Sequence, residues 1–250
     1  MNELEYKHFY DRVGKLNGWD FSKVKCVAEG VLWDFYHEVS RRCRKSDFLL
    51  DIGTGGGEQL LSITEAALLL VGIDQSAGMI ETANDNLAKA RKDNVRMLQM
   101  DAERIDFPRG FFNVVSCRHS PFSASEAAKV LTEDGLFLTQ QVSEDDKINL
   151  AQAFGRRQAD DGANDGTLKN KYISELQEAG FRDIQSYDYD AVEYYETYED
   201  LIFLLKHTPI IPGFGQDEND FAVLEQFIRD NQTSKGIRTN AKRFMIIARK

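Results

Sequence analysis

Short apolar runs alternate with longer amphipathic stretches over most of the chain, and this alternation predicts a parallel sheet whose strands are connected by helices. Each run has the length of a buried strand, and the first is bounded by charge on one side and glycine on the other. The seven predicted strands span residues 48–52, 68–73, 95–100, 111–117, 136–142, 183–191 and 243–248. The predicted fold class is therefore α/β.

Helical spacing of apolar residues predicts two helices before the first strand. One covers residues 3–13, and a longer one covers residues 22–44 with Ser22 as its N-cap. Two more predicted helices, at 197–207 and 218–230, lie between the last two strands. The pattern therefore predicts a helical insertion before the closing strand.

A glycine-rich turn follows the first predicted strand. The sequence reads D-I-G-T-G-G-G-E from Asp51, so Gly53, Gly55 and Gly57 stand where the chain leaves the sheet. Glycine permits positive φ and lets a ligand approach the backbone closely. The second strand ends in Asp74, at the edge of the sheet where ligands of such folds bind. A carboxylate there suits the two hydroxyls of a ribose.

Two classes of cofactor fit a glycine turn with a strand-end carboxylate. Dinucleotide-binding folds use G-x-G-x-x-G with a pyrophosphate over the following helix. This chain instead has G-x-G-x-G, with Asp51 two positions before the first glycine. A carboxylate at that position would crowd a pyrophosphate and would suit a cofactor that carries an ammonium group.

The segment D-I-G-T-G-G-G resembles the first motif of the class I S-adenosylmethionine-dependent methyltransferases, and V-G-I-D-Q-S-A-G-M-I is similar to their second. The D-A-E segment at 101–103 is a third match, and the resemblance extends over about residues 47–142 and the closing strand. It implies a Rossmann-like, doubly wound sheet of seven strands in the order 3-2-1-4-5-7-6, with the last strand antiparallel.

The length of 250 residues and the resemblance together imply one methyltransferase domain. We expect a helical cap at residues 1–45 and a cofactor-binding core at 46–142. The C-terminal half, residues 143–250, would contain an acceptor-side insertion at about 187–232.

The resemblance implies S-adenosylmethionine as the cofactor and gives several residues a role. Asp74 would accept hydrogen bonds from the ribose, and Met79 would lie against one face of the adenine. The Asp101 carboxylate and the Ala102 N–H would meet the adenine edge. The implied cofactor-binding residues are Asp51, Gly53, Thr54, Gly55, Gly57, Asp74, Gln75, Met79, Asp101, Ala102 and Arg118.

The segment R-H-S-P-F at 118–122 follows the fourth predicted strand, where methyl donor and acceptor should meet. Many relatives that methylate nitrogens of bases, glutamine or adenine carry N-P-P-[YF] here, and this chain lacks the asparagine. That departure argues against methylation of a base. His119 is the candidate general base, because the ordinary pKa of histidine lies near neutral pH. The alternative is a loop histidine that only shapes the pocket.

Aromatic residues are concentrated in the stretch 187–214, where the resemblance implies a pocket for the methyl acceptor. The leading expectation is a small-molecule acceptor that is methylated on oxygen or nitrogen. The alternatives are an RNA or protein acceptor, a non-catalytic cofactor-binding module, and an NAD-dependent oxidoreductase. The candidate acceptor-side residues are Tyr10, Gln140, Tyr194 and Tyr195.

Composition narrows the range of partners. The formal net charge of −10 disfavours a nucleic-acid partner. No apolar run reaches the roughly 18 residues of a membrane span, and the N-terminus lacks an apolar signal core, so the expected location is the cytoplasm. Cys26, Cys43 and Cys117 lack the spacing of a metal site, and no metal is expected. The sequence does not indicate an oligomeric state.

Overall fold

A computed structural model describes residues 23–156 and 164–250. Within these ranges the chain forms nine strands and eight α-helices around one mixed sheet. The strands are β1 (Cys26–Glu29), β2 (Phe48–Ile52), β3 (Leu69–Asp74), β4 (Val95–Gln99), β5 (Phe112–Arg118), β6 (Leu131–Val142), β7 (Arg182–Tyr195), β8 (Gln232–Thr233) and β9 (Gly236–Arg249). The helices are α1 (Phe35–Ser40), α2 (Glu58–Ser62), α3 (Ala77–Ala90), α4 (Ala124–Val130), α5 (Ile148–Phe154), α6 (Thr167–Glu178), α7 (Tyr198–His207) and α8 (Asp220–Asn231). None of these helices is both long enough and apolar enough to cross a membrane.

The strands lie in the order β1-β7-β9-β6-β5-β2-β3-β4, and β8 pairs with β9. Strands β2 to β6 pair in parallel, whereas β9 runs antiparallel to both β6 and β7. Apart from the edge strand β1 and the short β8, this is the order 3-2-1-4-5-7-6 with an antiparallel closing strand. The predicted fold class is confirmed, and the two additional strands are the difference.

Hydrophobic cores cover both faces of the sheet. One core packs α1, α2 and α3 against strand residues that include Leu49, and the other packs α4 and α6 against residues that include Leu50. Neighbouring residues of β2 thus enter different cores, because successive side chains of a strand point to opposite faces. A third core joins α5, α7 and α8 to the ends of β7 and β9. Helices therefore flank the sheet on both faces and leave the carboxyl ends of its central strands as one edge.

The long helix predicted over residues 22–44 is wrong for the part that the structure describes. The chain forms β1, which pairs with the end of β7, and only the six-residue helix α1 follows. Gly30 adopts a φ of 94°, which ends the extended segment. Asp34 then caps α1 by accepting the His37 N–H at 2.7 Å. Glycine and a capping aspartate interrupt the region locally, and apolar spacing alone did not reveal this.

Several of the apolar positions that predict this helix are in solvent, whereas Phe35 and Val39 of α1 are buried. Val27 on β1 is 62% exposed, and Leu32 before α1 is 70% exposed. The other predicted N-terminal helix, at residues 3–13, lies outside the described residues. The expectation of N-terminal helices therefore fails where the structure can test it, except for α1.

Strands β7 and β9 are each 14 residues long and extend past their neighbour β6. Tyr189 of β7 and Val142 at the end of β6 both pair with Arg243 of β9. The six residues after Tyr189 therefore project beyond β6, by about 20 Å at the usual rise per residue. The insertion predicted at 187–232 is a strand as far as Tyr195, and α7 and α8 follow. The assignment of chain regions to cofactor and acceptor stays a prediction.

Tyr195 supports the third core from the end of β7. Its side chain is 4% exposed, and its hydroxyl donates to Glu193 Oε2 at 2.8 Å. Tyr195→Ala should lower the free energy of unfolding by about 3–5 kcal/mol, because it removes a large buried ring and leaves a cavity. Urea denaturation measures this change.

Tyr194→Ala is the matched control for this variant. Tyr194 points to the opposite face of β7 and is partly exposed, with Lys235 Nζ 5.4 Å from its ring centroid. An exposed cation–π contact is worth about 0.5–1 kcal/mol, so the control should lose much less stability. Equal losses in the two variants would contradict the placement of Tyr195 in the core.

Candidate functional site

The glycine turn lies where β2 leaves the sheet, beside the carboxyl end of β3. The Gly53 N–H donates to the Ile73 carbonyl at 2.9 Å and so ties the turn to β3. Gly53, Gly55 and Gly57 have φ values of 70°, 57° and 76°, which other residues rarely adopt. A Cβ at Gly53 would also overlap the side chain of Ser120. The turn needs glycine for its backbone angles and for the close approach of the segment after β5.

Asp74 ends β3 and fastens the glycine turn to α3. Its Oδ2 accepts the Gly55 N–H at 3.0 Å, and its Oδ1 accepts the Ser76 N–H at 2.9 Å. Ser76 in turn caps α3 by accepting the Met79 N–H at 3.1 Å. The Asp74 carboxylate is thus held in one orientation at the carboxyl end of β3.

The other residues predicted on the cofactor side lie along the same edge. Thr54 is buried within the turn, and Gln75 is half-buried directly after β3. Met79 is 1% exposed in the first turn of α3. Asp101 is exposed just beyond the end of β4, and the half-buried Ala102 follows it. The structure therefore brings these residues to the ends of three adjacent strands, β2, β3 and β4, and the predicted cofactor residue Arg118 ends the neighbouring strand β5.

Asp51 is fully buried in β2, and each of its carboxylate oxygens accepts a hydroxyl. Tyr36 of α1 donates to Oδ2 at 3.0 Å, and Ser116 of β5 donates to Oδ1 at 2.6 Å. Burial raises the pKa of Asp51 to about 6, although three hydroxyls and the positive charge of Arg118 act in the opposite direction. This carboxylate therefore joins α1, β2 and β5 at the base of the site.

Arg118 ends β5 close to this carboxylate. Its Cζ lies 6.0 Å from the ring centroid of Tyr36. The Arg118 Nε is buried and has no hydrogen-bond partner in the described part of the chain. A buried donor without a partner costs free energy, so an anionic group of a ligand would be bound favourably at this point.

His119 follows Arg118 and is tied twice to Gln140 at the end of β6. The His119 N–H donates to the Gln140 carbonyl at 2.9 Å, and its Nε2 lies 2.9 Å from the Gln140 side-chain nitrogen. The Gln140 Oε1 accepts the indole N–H of Trp33 at 2.7 Å. Burial lowers the pKa of His119 well below its ordinary value, and three nearby cations lower it further.

Two aromatic side chains are connected to this histidine through Gln140, which contacts Trp33. Trp33 meets Tyr189 of β7 edge to face, with 4.6 Å between the ring centroids. Burial raises the pKa of Tyr189, and the charges of Arg243 and Arg118 act against this rise, so both cations lie near the phenol. Arg118, His119, Gln140, Trp33 and Tyr189 form one group, which we call the acceptor-side group.

Two residues predicted on the acceptor side are not in this group. Tyr195 belongs to the third core, and Tyr194 points to the other face of β7. Both lie five or six residues beyond Tyr189 on the strand, which is about 17–20 Å. Tyr10 lies outside the described residues. Among the predicted acceptor-side residues, the structure places Gln140 beside Arg118 and His119.

Sequence reasoning missed Trp33, Tyr36 and Ser116. The first two fall in the region that was predicted as a long helix, and Ser116 is an inconspicuous residue of β5. A usable signal for the first two was Gly30 followed by Asp34, which marks a turn and a new helix start. Ser116 becomes visible only through its register partner, because it lies opposite Asp51 in the sheet.

Comparison with known proteins identifies a methyltransferase domain within this chain. Residues 49–135 match the family model of a methyltransferase domain. The chain is 33% identical over 103 residues to YcgJ, an uncharacterized methyltransferase of Bacillus subtilis (strain 168). The aligned region covers 38% of this chain and 41% of that protein. It is 27% identical over 187 residues to the malonyl-[acyl-carrier protein] O-methyltransferase of Geobacter sulfurreducens, 68% of this chain and 67% of that protein. The chain thus spans less than half the length of the first of these relatives.

Solved structures agree on the fold. The crystal structure of YcgJ matches with a TM-score of 0.59 and 20% identity over 86% of this chain and 97% of that one. The crystal structure of the [4+2]-cyclase SpnF matches with a TM-score of 0.56 and 18% identity over 86% of this chain and 80% of that one. Residues 49–135 therefore form a methyltransferase domain, and the described part of the chain has the fold of these solved structures. The methyltransferase domain implies S-adenosylmethionine as the cofactor.

Asp74→Ala should weaken S-adenosylmethionine binding at least about tenfold, because charge-assisted hydrogen bonds to the ribose are lost. Titration calorimetry measures the affinity, and a thermal melt checks that the fold is retained. Asp85→Ala, an exposed aspartate on α3, is the matched control and should bind like the wild type. Equal affinity in the Asp74 variant would disprove the role of this carboxylate.

Asp51 should make stability depend on pH. Because burial raises its pKa from 3.8 to about 6, the folded protein keeps a proton that the unfolded chain has already lost. The stability from this group is therefore highest below about pH 4 and falls by about 1–3 kcal/mol as the pH rises to 6. Asp51→Asn cannot ionise and should lack this fall.

Urea denaturation of both proteins at about pH 4, 5, 6 and 7 tests this sign. The unfolding free energy of Asp51→Asn should improve relative to wild type as the pH rises. Asp85→Asn should show no such trend, because its side chain is exposed in both states. A constant difference between Asp51→Asn and wild type would show that the carboxylate is already ionised at the lower pH.

Proposed function

We propose that the protein transfers the methyl group of S-adenosylmethionine to an oxygen or nitrogen atom of a small-molecule acceptor. The observation that carries this proposal is the acceptor-side group, which lies beside the glycine turn and Asp51 at the carboxyl edge of the sheet. It combines aromatic walls with a few oriented polar groups, as small-molecule sites do.

The cofactor would bind along the ends of β2, β3 and β4. Asp74 would accept the ribose hydroxyls, and Asp101 with Ala102 would meet the adenine. The buried Nε of Arg118 suits the carboxylate of the methionine part. The negative charge of Asp51 lies under the same region and favours its ammonium group, although both Asp51 oxygens already accept protein hydroxyls.

When bound, S-adenosylmethionine supplies a methyl group that its sulfonium already activates. The protein has to align the acceptor with that methyl group and exclude water, and such orientation can contribute roughly 7–11 kcal/mol to catalysis. Trp33 and Tyr189 would form the apolar wall of the acceptor position. Gln140 and His119 would supply its polar groups.

Two features support a small acceptor over a macromolecule. The net charge of −10 disfavours an RNA backbone. The curated relative from Geobacter sulfurreducens carries O-methyltransferase in its name, and its named acceptor is a malonyl group on a carrier protein. Oxygen methylation of a small acid or alcohol is therefore a reasonable first class to assay. A group carried on a protein arm would reach the same position.

A second candidate function is a different reaction on the same fold. SpnF, whose crystal structure matches this chain, is named as a [4+2]-cyclase. Fold alone therefore does not establish methyl transfer. A non-catalytic cofactor-binding module is the third possibility, and an NAD-dependent oxidoreductase conflicts with the methyltransferase domain at residues 49–135.

The deciding experiment uses methyl-labelled S-adenosylmethionine. Purified protein is incubated with pools of small carboxylic acids, alcohols and amines, and in separate arms with RNA and with acyl-carrier protein. Label in a small molecule or in the carried acyl group supports the proposal. Label in RNA contradicts it. If no arm releases S-adenosylhomocysteine although calorimetry shows tight cofactor binding, the result favours a non-catalytic cofactor-binding module over an enzyme.

Tyr189→Ala should lower turnover at least about tenfold, because it removes one wall of the acceptor position and its contact with Trp33. Its affinity for S-adenosylmethionine should stay within about twofold of wild type. Tyr187→Ala is the matched control, since Tyr187 lies on the same strand two residues earlier and is 42% exposed. Equal turnover in the two variants would place the acceptor elsewhere.

A further inference from the structure

His119 is held in an unusual conformation by one partner. Its φ is 55°, in the left-handed region that non-glycine residues seldom occupy. Such strain persists only where the surroundings over-determine it, and it is often found at functional sites. Here the two contacts to Gln140, one from the backbone N–H and one from the ring, define the position of His119.

The direction of each hydrogen bond in this group follows from chemistry. An indole N–H can only donate, so the Gln140 atom that faces Trp33 at 2.7 Å must be the carbonyl oxygen. The other Gln140 atom is then the amide nitrogen, which can only donate, and it faces His119 Nε2 at 2.9 Å. His119 Nε2 must therefore accept. The ring is neutral, and its single proton lies on Nδ1.

The charged surroundings favour the same neutral state. Arg118 of β5, Arg243 of β9 and Lys147 before α5 all disfavour a positive charge on His119. Two carboxylates face these cations. The Glu193 carboxylate lies 2.7 Å from Lys147 Nζ, and the Asp146 carboxylate pairs with Arg243.

A neutral histidine of this kind cannot act as a general base through Nε2, because the lone pair of that atom is engaged. Within residues 23–156 and 164–250, the ring of His119 makes its hydrogen bond through Nε2, and the proton on Nδ1 has no protein acceptor. His119 can therefore donate a hydrogen bond to a ligand but cannot remove a proton while Gln140 stays in place.

We propose that Trp33 and Gln140 are positioning residues that fix His119 as a hydrogen-bond donor through Nδ1, and that the methyl acceptor is a carboxylate or another ionised oxygen. The second part rests on the proposed function, and the first does not. In the transfer, the oxygen lone pair forms the new O–CH₃ bond while the S–CH₃ bond breaks and its electron pair stays on sulfur. An ionised oxygen has no proton to lose, so the step balances without a base.

Nuclear magnetic resonance of ¹⁵N-labelled protein, without any acceptor, tests the first part. Long-range ¹H–¹⁵N spectra distinguish the two neutral tautomers and the charged ring. The chain has four histidines, and the His119 signals are those absent from His119→Asn. We expect the Nδ1–H tautomer in at least about tenfold excess and no protonation of His119 from pH 8 down to pH 6.

Trp33→Phe and Gln140→Leu should each release the ring. Both tautomers should then appear, and protonation of His119 should move upward toward the ordinary histidine range. His37, exposed on α1, is the internal reference and should give the same signals in every variant. An Nε2–H tautomer in the wild type, or a tautomer ratio unchanged by both substitutions, would overturn the positioning role.

The second part is tested in the labelled-methyl assay with matched pairs of carboxylic acids and their primary alcohols or amides. Label in the acids alone supports the ionised acceptor, and label only in the alcohols or amides contradicts it.

With an accepted acid, the His119→Asn variant should keep its turnover within about tenfold of wild type, because the asparagine amide can still donate a hydrogen bond. Loss of a true general base would instead lower turnover roughly 10²–10⁴-fold. An equally large loss in His119→Asn and His119→Ala would contradict the donor role. Failure to transfer label to any compound would refute the proposed function, and the resonance data would still decide the first part.

Discussion

The buried carboxylate of Asp51 is the interaction on which both halves of the site depend. It lies in the middle of the sheet and is held by hydroxyls from α1 and β5. Removing either Tyr36 or Ser116 would leave a buried charge with an unsatisfied oxygen, which is costly. Because Tyr36 fixes α1 and Trp33 lies three residues before it, the same carboxylate sets the position of the indole that orients Gln140. The hydrogen bond from Tyr36 to Asp51 thus holds the base of the cofactor side and also positions Trp33 on the acceptor side.

The fold was largely predictable because its signals are local. Apolar runs of strand length, ending in glycine or aspartate, gave the parallel core and its order once the motifs were matched. The region before β2 was not predictable from apolar spacing. Strand β1 pairs with the end of β7 on the edge opposite β9, and residues 22–44 do not encode this long-range condition. The spacing of apolar residues in this region matches one face of a helix, and only the structure shows that several of these side chains are exposed.

The cofactor side and the acceptor side of the site also differ in how far the sequence predicts them. The glycine turn and Asp74 lie within one short segment of sequence, so a motif records them. The Trp33–Gln140 contact joins residues 107 positions apart, and no local pattern marks it. The aromatic stretch was a real signal, but composition could not separate its members. The two-residue period of β7 and the distance along it place Tyr189 in the acceptor-side group, Tyr195 in a core and Tyr194 on the far face.

Selection of an acceptor would then depend more on hydrogen-bond direction than on charge. Arg243 and Lys147 are already paired with Asp146 and Glu193, so they attract an anion only moderately. Arg118 would be occupied by the carboxylate of the cofactor. In the proposed site a fixed donor at His119 Nδ1 would face the acceptor, and a ligand that can only donate would leave it unpaired. Sites built around one oriented polar group can reject such ligands by factors of about 10⁴–10⁵. The hydrogen bonds from Trp33 to Gln140 and from Gln140 to His119 would therefore determine specificity, because they fix which ring nitrogen of the imidazole carries the proton.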